Sequence, residues 1–331
     1  MKNERQFSKK MRIVADSFSE FILGRQAEMG RDKRLFACST CLNPEKTRIS
    51  RTNTFAMYKK LALAIAFSPR MEALIAEARK LIQIFEGELV LIHVGTKTPE
   101  LETQLDEILS RHCGDLERIK TIWKEGKPAK TILKTCEEEK VDLLVLGALK
   151  KEGLLTYYVG SVARKVIRKA TCSVLTMIEP KIETTHFSKV VINGTELEIT
   201  PRVIARGLKF CKAEQSTQVH ILNEIKMYGF KMATAAEGNE AEVANTRRKL
   251  VQEEIDYVQG ILDSLEPTDL KINIKVTAGK WAVELVRFCE SIESDLLIMG
   301  VEQGFSFIDR IFPHDIEDVL IELPCNLLIV K

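Results

Sequence analysis

The chain has 331 residues, of which 45% are hydrophobic and 29% charged, as is typical of a folded protein rather than a disordered one. This length predicts two domains. The formal net charge of +2 argues against a dedicated nucleic-acid-binding protein. No apolar stretch approaches the ~20 residues that are needed to cross a bilayer, so no membrane partner is expected.

The first 56 residues are basic, with 12 Lys/Arg against 6 Asp/Glu, whereas the remaining 275 carry 37 against 41. They lack the apolar block and cleavage site of a secretory signal, so we expect a cytoplasmic protein with reduced thiols. Residues 1–56 are predicted to be a poorly ordered extension. Cys38 and Cys41 lie within it, but no second pair completes a zinc site and no adjoining strand and helix favours a redox role.

From residue 57 onward, strands and helices alternate. Apolar runs at 59–66, 88–94, 118–124, 142–147 and 172–177 predict five buried strands. Between the first two runs, apolar residues recur from Met71 to Phe85 at helical spacing, and Ser68-Pro69 is predicted to supply the N-cap and first residue of that helix. This alternation predicts a parallel sheet covered by helices on both faces.

The second half of the chain repeats the first. Residues 126–147 and 279–300 lie 153 positions apart, and nine of the 22 paired positions are identical. Earlier in each unit the offset is 129, so the second unit has about 24 extra residues between its second and third strands, near 224–255. Within them, 226–242 is predicted to be a mobile loop, and apolar spacing from Val251 to Leu265 predicts a long helix that ends before Pro267. Thr200-Pro201 is the predicted cap pair of the first helix in this unit.

We therefore predict an α/β fold with two doubly wound, five-stranded, parallel-sheet domains in tandem, of the Rossmann-like type. The domains are expected at 57–180 and 187–331, with a linker at 179–186.

Ligands of doubly wound sheets bind beyond the carboxyl ends of the strands, where the strand order reverses. In the first unit, the fourth strand ends at Gly147, Lys150 follows, and Gly160-Ser161 opens a helix. Unpaired N–H groups at such a helix start form an anion nest, and Ser161 is predicted to cap the helix. The alternative is that these glycines only make tight turns.

The whole of 57–331 resembles a tandem universal stress protein. The residues that carry the resemblance are Asp142–Gly147, Gly153, Gly160-Ser161-Val162, Arg168 and Cys172–Leu175. The resemblance implies a non-enzymatic stress-response protein with a binding or regulatory role. It also implies that the two domains pair through their fifth strands, Cys172–Met177 and Cys325–Val330, as an intramolecular pseudo-dimer. A second copy and a regulatory protein are the candidate further partners, and no specific nucleic acid is expected.

Members of this family that bind ATP carry the pattern G-x2-G-x9-G-(S/T). The candidate nucleotide-binding residues implied by the resemblance are Ser68, Gly147, Lys150, Gly160, Ser161 and Val162. They define an alternative function, a nucleotide sensor that binds ATP through domain 1 only. Lys150 replaces the second glycine of the pattern and Ala66 replaces an aspartate, which argues against a tightly held nucleotide.

Domain 2 departs further from the ATP-binding pattern. Gln303 follows Gly300 at the second glycine position, Pro313-His314 replaces the Gly-Ser pair, and Asn193 replaces the aspartate. Because proline removes an N–H from the nest, no nucleotide is expected in this domain.

Catalytic signatures are not visible in the sequence. The histidines show no metal-binding spacing, and no nucleophile-elbow, paired-carboxylate or Walker pattern occurs, so we expect no enzyme, no catalytic residues and no metal. A third interpretation, an enzyme of the broader adenine-nucleotide α-hydrolase superfold, requires a glycine-rich loop that 66–69 does not supply. Cys136, Cys172, Cys289 and Cys325 occupy equivalent positions in the two units and are interpreted as small buried hydrophobic residues.

Overall fold

A computed structural model of the chain describes residues 57–114, 118–150, 157–225, 240–301 and 314–331. The extension at 1–56, with Cys38 and Cys41, lies outside these residues. The strands of the first repeat are β1 (Lys60–Ile65), β2 (Glu88–Val94), β3 (Ile119–Lys124), β4 (Leu143–Gly147), the short β5 (Leu149–Lys150) and β6 (Tyr157–Tyr158), and β7 (Ser173–Met177). Those of the second repeat are β8 (Lys189–Asn193), β9 (Gln218–Glu224), β10 (Ile272–Thr277), β11 (Leu296–Gly300) and β12 (Asn326–Val330).

Ten of these strands form one sheet in the order β10-β9-β8-β11-β12-β7-β4-β1-β2-β3. Each half has the same internal order, third-second-first-fourth-fifth, and all its strands are parallel. The halves meet where β7 pairs with β12 in antiparallel register, with Leu175 opposite Leu328. The predicted fold class is confirmed, and the two sheets are continuous across this seam.

Helices cover both faces of the sheet. They are α1 (Met71–Phe85), α2 (Pro99–Cys113), α3 (Pro128–Glu138), α4 (Ser161–Lys169), α5 (Thr200–Ala213), α6 (Glu240–Asp263), α7 (Trp281–Ser291) and α8 (His314–Ile321). Helices α1, α2, α5 and α6 pack on one face, and α3, α4, α7 and α8 pack on the other.

The strand sequences explain this two-sided burial. Along β4, Leu143 and Val145 enter one core while Leu144 and Leu146 enter the other, and all four side chains are buried. Burial on both faces makes such strands continuously apolar instead of alternating.

The extra residues of the second repeat lie between β9 and β10, as predicted, and include α6, which ends at Asp263 before Pro267. The predicted loop at 226–242 is wrong at its end, because 240–242 already belong to α6, and 226–239 lie outside the described residues. This helix is longer than its apolar stripe, since its first turns are largely polar.

Two predicted helix caps are wrong. The N-cap of α1 is Arg70, because Ser68 instead forms a turn in which the Met71 N–H donates to its carbonyl at 3.0 Å. Thr200 is the first residue of α5 and follows the cap residue Ile199. Its hydroxyl donates to the Thr195 carbonyl rather than accepting from the helix. In both cases a preceding turn moves the start of the helix away from the favoured cap residue.

Candidate functional site

The candidate site lies at the carboxyl edge of the first half-sheet, between β1 and β4. These neighbouring strands continue into segments that lead to opposite faces, since α1 follows β1 and α4 follows β4. A crevice therefore opens at this switch point. Its first wall is the segment 66–70 after β1, and its second is 148–150 with the start of α4.

Gly147, the last residue of β4, allows α1 to approach the strand. A Cβ atom at this position would lie 3.1 Å from Cδ1 of Leu74. The absence of a side chain at Gly147 thus serves helix packing.

Gly160 is the N-cap residue of α4, and the Arg164 N–H is the first to bond back, to the Gly160 carbonyl at 2.9 Å. The N–H groups of Ser161, Val162 and Ala163 precede that bond and so have no acceptor within the helix. The predicted cap role of Ser161 is wrong, because it is the first helical residue and the described structure shows no side-chain cap bond there. The structure thus has the helix start that an anion nest requires.

Leu149 crosses the start of this helix. A Cβ atom on Gly160 would lie 2.7 Å from Cδ1 of Leu149, so the leucine side chain packs against the glycine backbone. Leu149 itself remains 47% exposed and Val162 remains 39% exposed. An apolar surface therefore borders the N–H groups at which a phosphate would bind.

Lys150 lies in the two-stranded β5–β6 ladder, where it pairs with Tyr157. Its ammonium group lies 5.5 Å from the centroid of the Tyr157 ring, a cation–π distance. The Tyr157 hydroxyl donates to Glu179, and burial together with this carboxylate raises the pKa of Tyr157 to about 12. The lysine is thus held over an aromatic ring.

The β6 segment is tied to the second repeat. The Leu323 N–H donates to the Tyr157 carbonyl at 3.0 Å, and the Val159 N–H donates to the Leu320 carbonyl at 3.0 Å. Arg164, on the first turns of α4, forms an ion pair with Glu317 of the second repeat at 3.5 Å. Residues 157–160, which lead to α4, are therefore held by backbone hydrogen bonds to the second repeat.

Ser68 is exposed in the turn before α1, at the first wall of the crevice. Arg70, two residues later, was missed by the sequence analysis and has the most extensive contacts in the crevice. Its guanidinium donates to the carbonyl of Ile178 at 3.0 Å and to that of Ala148. Because these carbonyls follow β7 and β4, the half-buried guanidinium spans the edge of the sheet. A cation directly before α1 was the available sequence signal.

Three aromatic rings occupy the other side of this edge. Phe67, His93 and Trp123 stand at the carboxyl ends of β1, β2 and β3, with ring centroids 4.8 to 5.7 Å apart. Nδ1 of His93 lies 3.2 Å from the Ile65 carbonyl. This cluster is not predicted from the sequence either, although an aromatic residue at each of three successive strand ends is its signal.

The equivalent crevice of the second repeat, between β8 and β11, is filled. A Cβ atom on Gly300 would lie 2.3 Å from Cγ2 of Val203 and 3.0 Å from Cγ2 of Ile199, so the start of α5 packs directly on the strand end. The buried Asn193 accepts from both the N–H and the hydroxyl of Thr195, each at 3.0 Å. Gln303 and Pro313 lie outside the described residues.

No group of three His, Cys, Asp or Glu side chains within the described ranges is arranged to hold a metal ion. None of the helices in that part of the chain combines the length and the apolar content that a bilayer span requires.

The fold and the crevice define a class of protein: a tandem, doubly wound, Rossmann-like α/β protein with one switch-point crevice in each half. Residues 57–177 match the model of the universal stress protein family. A universal stress protein of Methanocaldococcus jannaschii is 44% identical to this chain over 66 residues, which cover 20% of this chain and 39% of that relative. Another, from Thermus aquaticus, is 26% identical over 134 residues, which cover 36% of this chain and 98% of the relative.

The crystal structure of a functionally unknown protein from Pseudomonas aeruginosa PAO1 has the same fold across both halves. It covers 85% of this chain and 95% of its own, with 14% identity and a TM-score of 0.63. Residues 57–177 therefore form a domain of the universal stress protein type.

Proposed function

We propose that this chain is a cytoplasmic, non-enzymatic stress-response protein with a binding or regulatory role. The observation that carries the proposal is that both switch-point crevices are occupied by side chains of the protein itself, Arg70 in the first repeat and Val203 with Ile199 in the second. The segments that line the first crevice, 66–70 and 148–150, also contain no carboxylate, histidine or cysteine to act as a general base or nucleophile.

The two repeats are proposed to act as one intramolecular pseudo-dimer. Support comes from the antiparallel β7–β12 seam, in which Thr176, Leu175 and Val174 lie opposite Leu327, Leu328 and Ile329. Because each fifth strand is already paired within the chain, its edge is not available to a second copy. Sedimentation velocity at micromolar concentration is expected to give a monomer of 37.5 kDa, and a stable dimer would contradict this part of the proposal.

The alternative, an ATP sensor that uses domain 1 only, is favoured by one observation: the open N–H groups of Ser161 and Val162 at the start of α4. In that case Gly147, Lys150 and Gly160 would approach the phosphates, and Ser68 would lie on the opposite wall.

Thermal unfolding with and without millimolar Mg-ATP separates the two functions. We expect no change in Tm, because Arg70 and Leu149 occupy the crevice. The decisive variant is Gly160→Asp, which places a favourable N-cap carboxylate where a phosphate would bind and so leaves the helix intact. The matched control is Lys165→Glu, which adds negative charge to the same helix away from its first turn. An ATP-dependent rise in Tm that Gly160→Asp abolishes and Lys165→Glu preserves would establish the sensor instead.

A further inference from the structure

The two repeats contain equivalent pairs of cysteines whose side chains interact. Cys136 on α3 forms a thiol hydrogen bond with Cys172, which directly precedes β7, and Cys289 on α7 forms one with Cys325, which directly precedes β12. All four are buried and none is in a disulfide. Their burial agrees with the interpretation of these residues as small buried hydrophobic side chains. The interaction within each pair was not predicted from the sequence.

The seam between the repeats makes the two pairs chemically different. In the β7–β12 register, Val174 lies opposite Ile329 and Thr176 lies opposite Leu327. Extending this register by two residues at each end places Lys331 opposite Cys172 and Ile178 opposite Cys325. Lys331 is only 3% exposed. One thiol pair therefore lies beside a buried ammonium group from the other repeat, and its counterpart lies beside an aliphatic side chain.

This difference affects which thiol ionises. The pKa of Cys172 is lowered chiefly by a hydrogen bond from Cys136, and further by a backbone hydrogen bond and by the Lys331 ammonium, against opposing effects of burial and of the Asp142 carboxylate. Its partner Cys136 has a raised pKa, so it remains the thiol that donates this hydrogen bond. The pKa of Cys325 is raised well above its ordinary value by its contact with Cys289 and by burial, although the Ser294 hydroxyl lies 3.2 Å from its sulfur. Within the first pair, the thiolate is thus favoured at Cys172 over Cys136.

We propose that Cys172 and Cys136 form a peroxide-sensitive thiol pair, in which Cys172 is oxidised first and Cys136 then closes a disulfide. The Cys172 thiolate attacks one oxygen of a hydroperoxide, the O–O bond breaks, and the leaving oxygen takes a proton to become water or an alcohol. Cys172 is then a sulfenic acid. The Cys136 sulfur attacks it, the S–O bond breaks, and the departing hydroxyl leaves as water with the Cys136 proton. Two thiols have lost two electrons and two protons to one peroxide.

The equivalent pair in the second repeat supplies an internal control. Cys325 and Ser294 line a cavity of about 180 Å³ at the junction of the repeats. If access to the oxidant decided the reaction, Cys325 would react first. If the ammonium group beside the sulfur decides it, Cys172 reacts first. The two explanations thus predict opposite orders of oxidation within one molecule.

The experiment uses the full chain with Cys38→Ser and Cys41→Ser, so that the extension contributes no second thiol pair. The reduced protein is treated with equimolar hydrogen peroxide, quenched with N-ethylmaleimide at intervals, digested and analysed by mass spectrometry. We expect a peptide linked through Cys136 and Cys172 while Cys289 and Cys325 remain alkylated. Oxidation of Cys325 first, or at an equal rate, overturns the proposal, and so does the absence of the Cys136–Cys172 peptide.

Two substitutions test the assigned roles. Lys331→Met keeps an unbranched side chain but removes the charge, and is expected to slow oxidation of Cys172 relative to the parent, because the thiolate loses a neighbouring positive charge. Ile178→Met, the same new residue at the equivalent position, should leave that rate unchanged. With Cys136→Ala, the sulfenic acid at Cys172 should persist and be trapped by dimedone. An unchanged rate of Cys172 oxidation in Lys331→Met refutes the role assigned to the Lys331 ammonium. This outcome does not depend on whether the Cys136→Ala variant folds.

Discussion

Replacing Gly300 by alanine tests how the second crevice is closed. The added Cβ would lie 2.3 Å from Cγ2 of Val203 and 3.0 Å from Cγ2 of Ile199, whereas carbon atoms in van der Waals contact are about 3.5–4.0 Å apart. Val203 is buried, and its β-branch restricts it to essentially one rotamer in a helix. The clash can therefore be relieved only if the start of α5 moves away from β11.

The equivalent substitution in the first repeat is the matched control. A Cβ atom on Gly147 would lie 3.1 Å from Cδ1 of Leu74, the end of a side chain that can rotate. Overpacking a core lowers the free energy of unfolding by about 1–3 kcal/mol, whereas replacing a glycine within a strand by alanine raises it by roughly 0.5–1 kcal/mol. We expect Gly300→Ala to lower the free energy of unfolding by about 1.5–2 kcal/mol, and Gly147→Ala to change it by less than about 0.5 kcal/mol.

Urea unfolding followed by circular dichroism measures both variants. The midpoint of Gly300→Ala should fall by about 0.5 M with an unchanged m-value, while that of Gly147→Ala stays near the parent. Adding Val203→Ala removes the clashing methyl groups, so the double variant should recover about 1 kcal/mol relative to the sum of the single effects. Equal losses at the two glycines, or strictly additive effects in the double variant, would refute the closure of the second crevice by α5.

Three further predictions concern the first crevice and the seam. Arg70→Met should lower the free energy of unfolding, measured by urea titration, by about 1.5–3 kcal/mol, because the Ala148 and Ile178 carbonyls lose a charged donor. A change within experimental error would contradict the role assigned to these two hydrogen bonds. Thr176→Val should raise it by about 1 kcal/mol, since the buried Thr176 hydroxyl has no hydrogen-bond partner among the described residues and valine has the same shape; a lower Tm would contradict this. Burial lowers the pKa of Lys331 from 10.5 to about 8. Between pH 8 and pH 10.5 the unfolded chain therefore holds a proton on Lys331 that the folded chain has lost, so the free energy of unfolding should rise with pH across that range. Lys331→Met should remove this rise in urea titrations at successive pH values, and an identical slope in both proteins would refute it.

The repeat, the strands and the fold class could be predicted because they depend on local patterns. Strands buried on both faces are continuously apolar, and a duplicated sequence places them twice at constant offsets. Gly147 and Gly160 were located correctly at a strand end and a helix start for the same reason.

The occupants of the crevice could not be predicted, because they depend on side chains that meet only in three dimensions. Arg70 bonds to carbonyls 78 and 108 positions away in the chain. The Phe67–His93–Trp123 cluster requires the order of three strands, and the contact of Lys331 with Cys172 requires the register of the seam. The cap errors have a more local cause: Ser68 and Thr200 are favoured cap residues, but turns before α1 and α5 shift both helix starts.

The two crevices are closed by different chemistry at equivalent positions. Arg70 and Ile199 lie 129 residues apart, the offset that relates the first helix of each repeat. The arginine closes its crevice with hydrogen bonds from a half-buried guanidinium to the Ile178 and Ala148 carbonyls. The isoleucine closes its crevice by contact with Gly300, which is lost only if α5 lifts from the sheet. Opening the first crevice requires the side chains of Arg70 and Leu149 to move, whereas opening the second requires movement of a helix. Any ligand-dependent behaviour of the chain should therefore arise in the first repeat, with the second supplying the other half of the sheet.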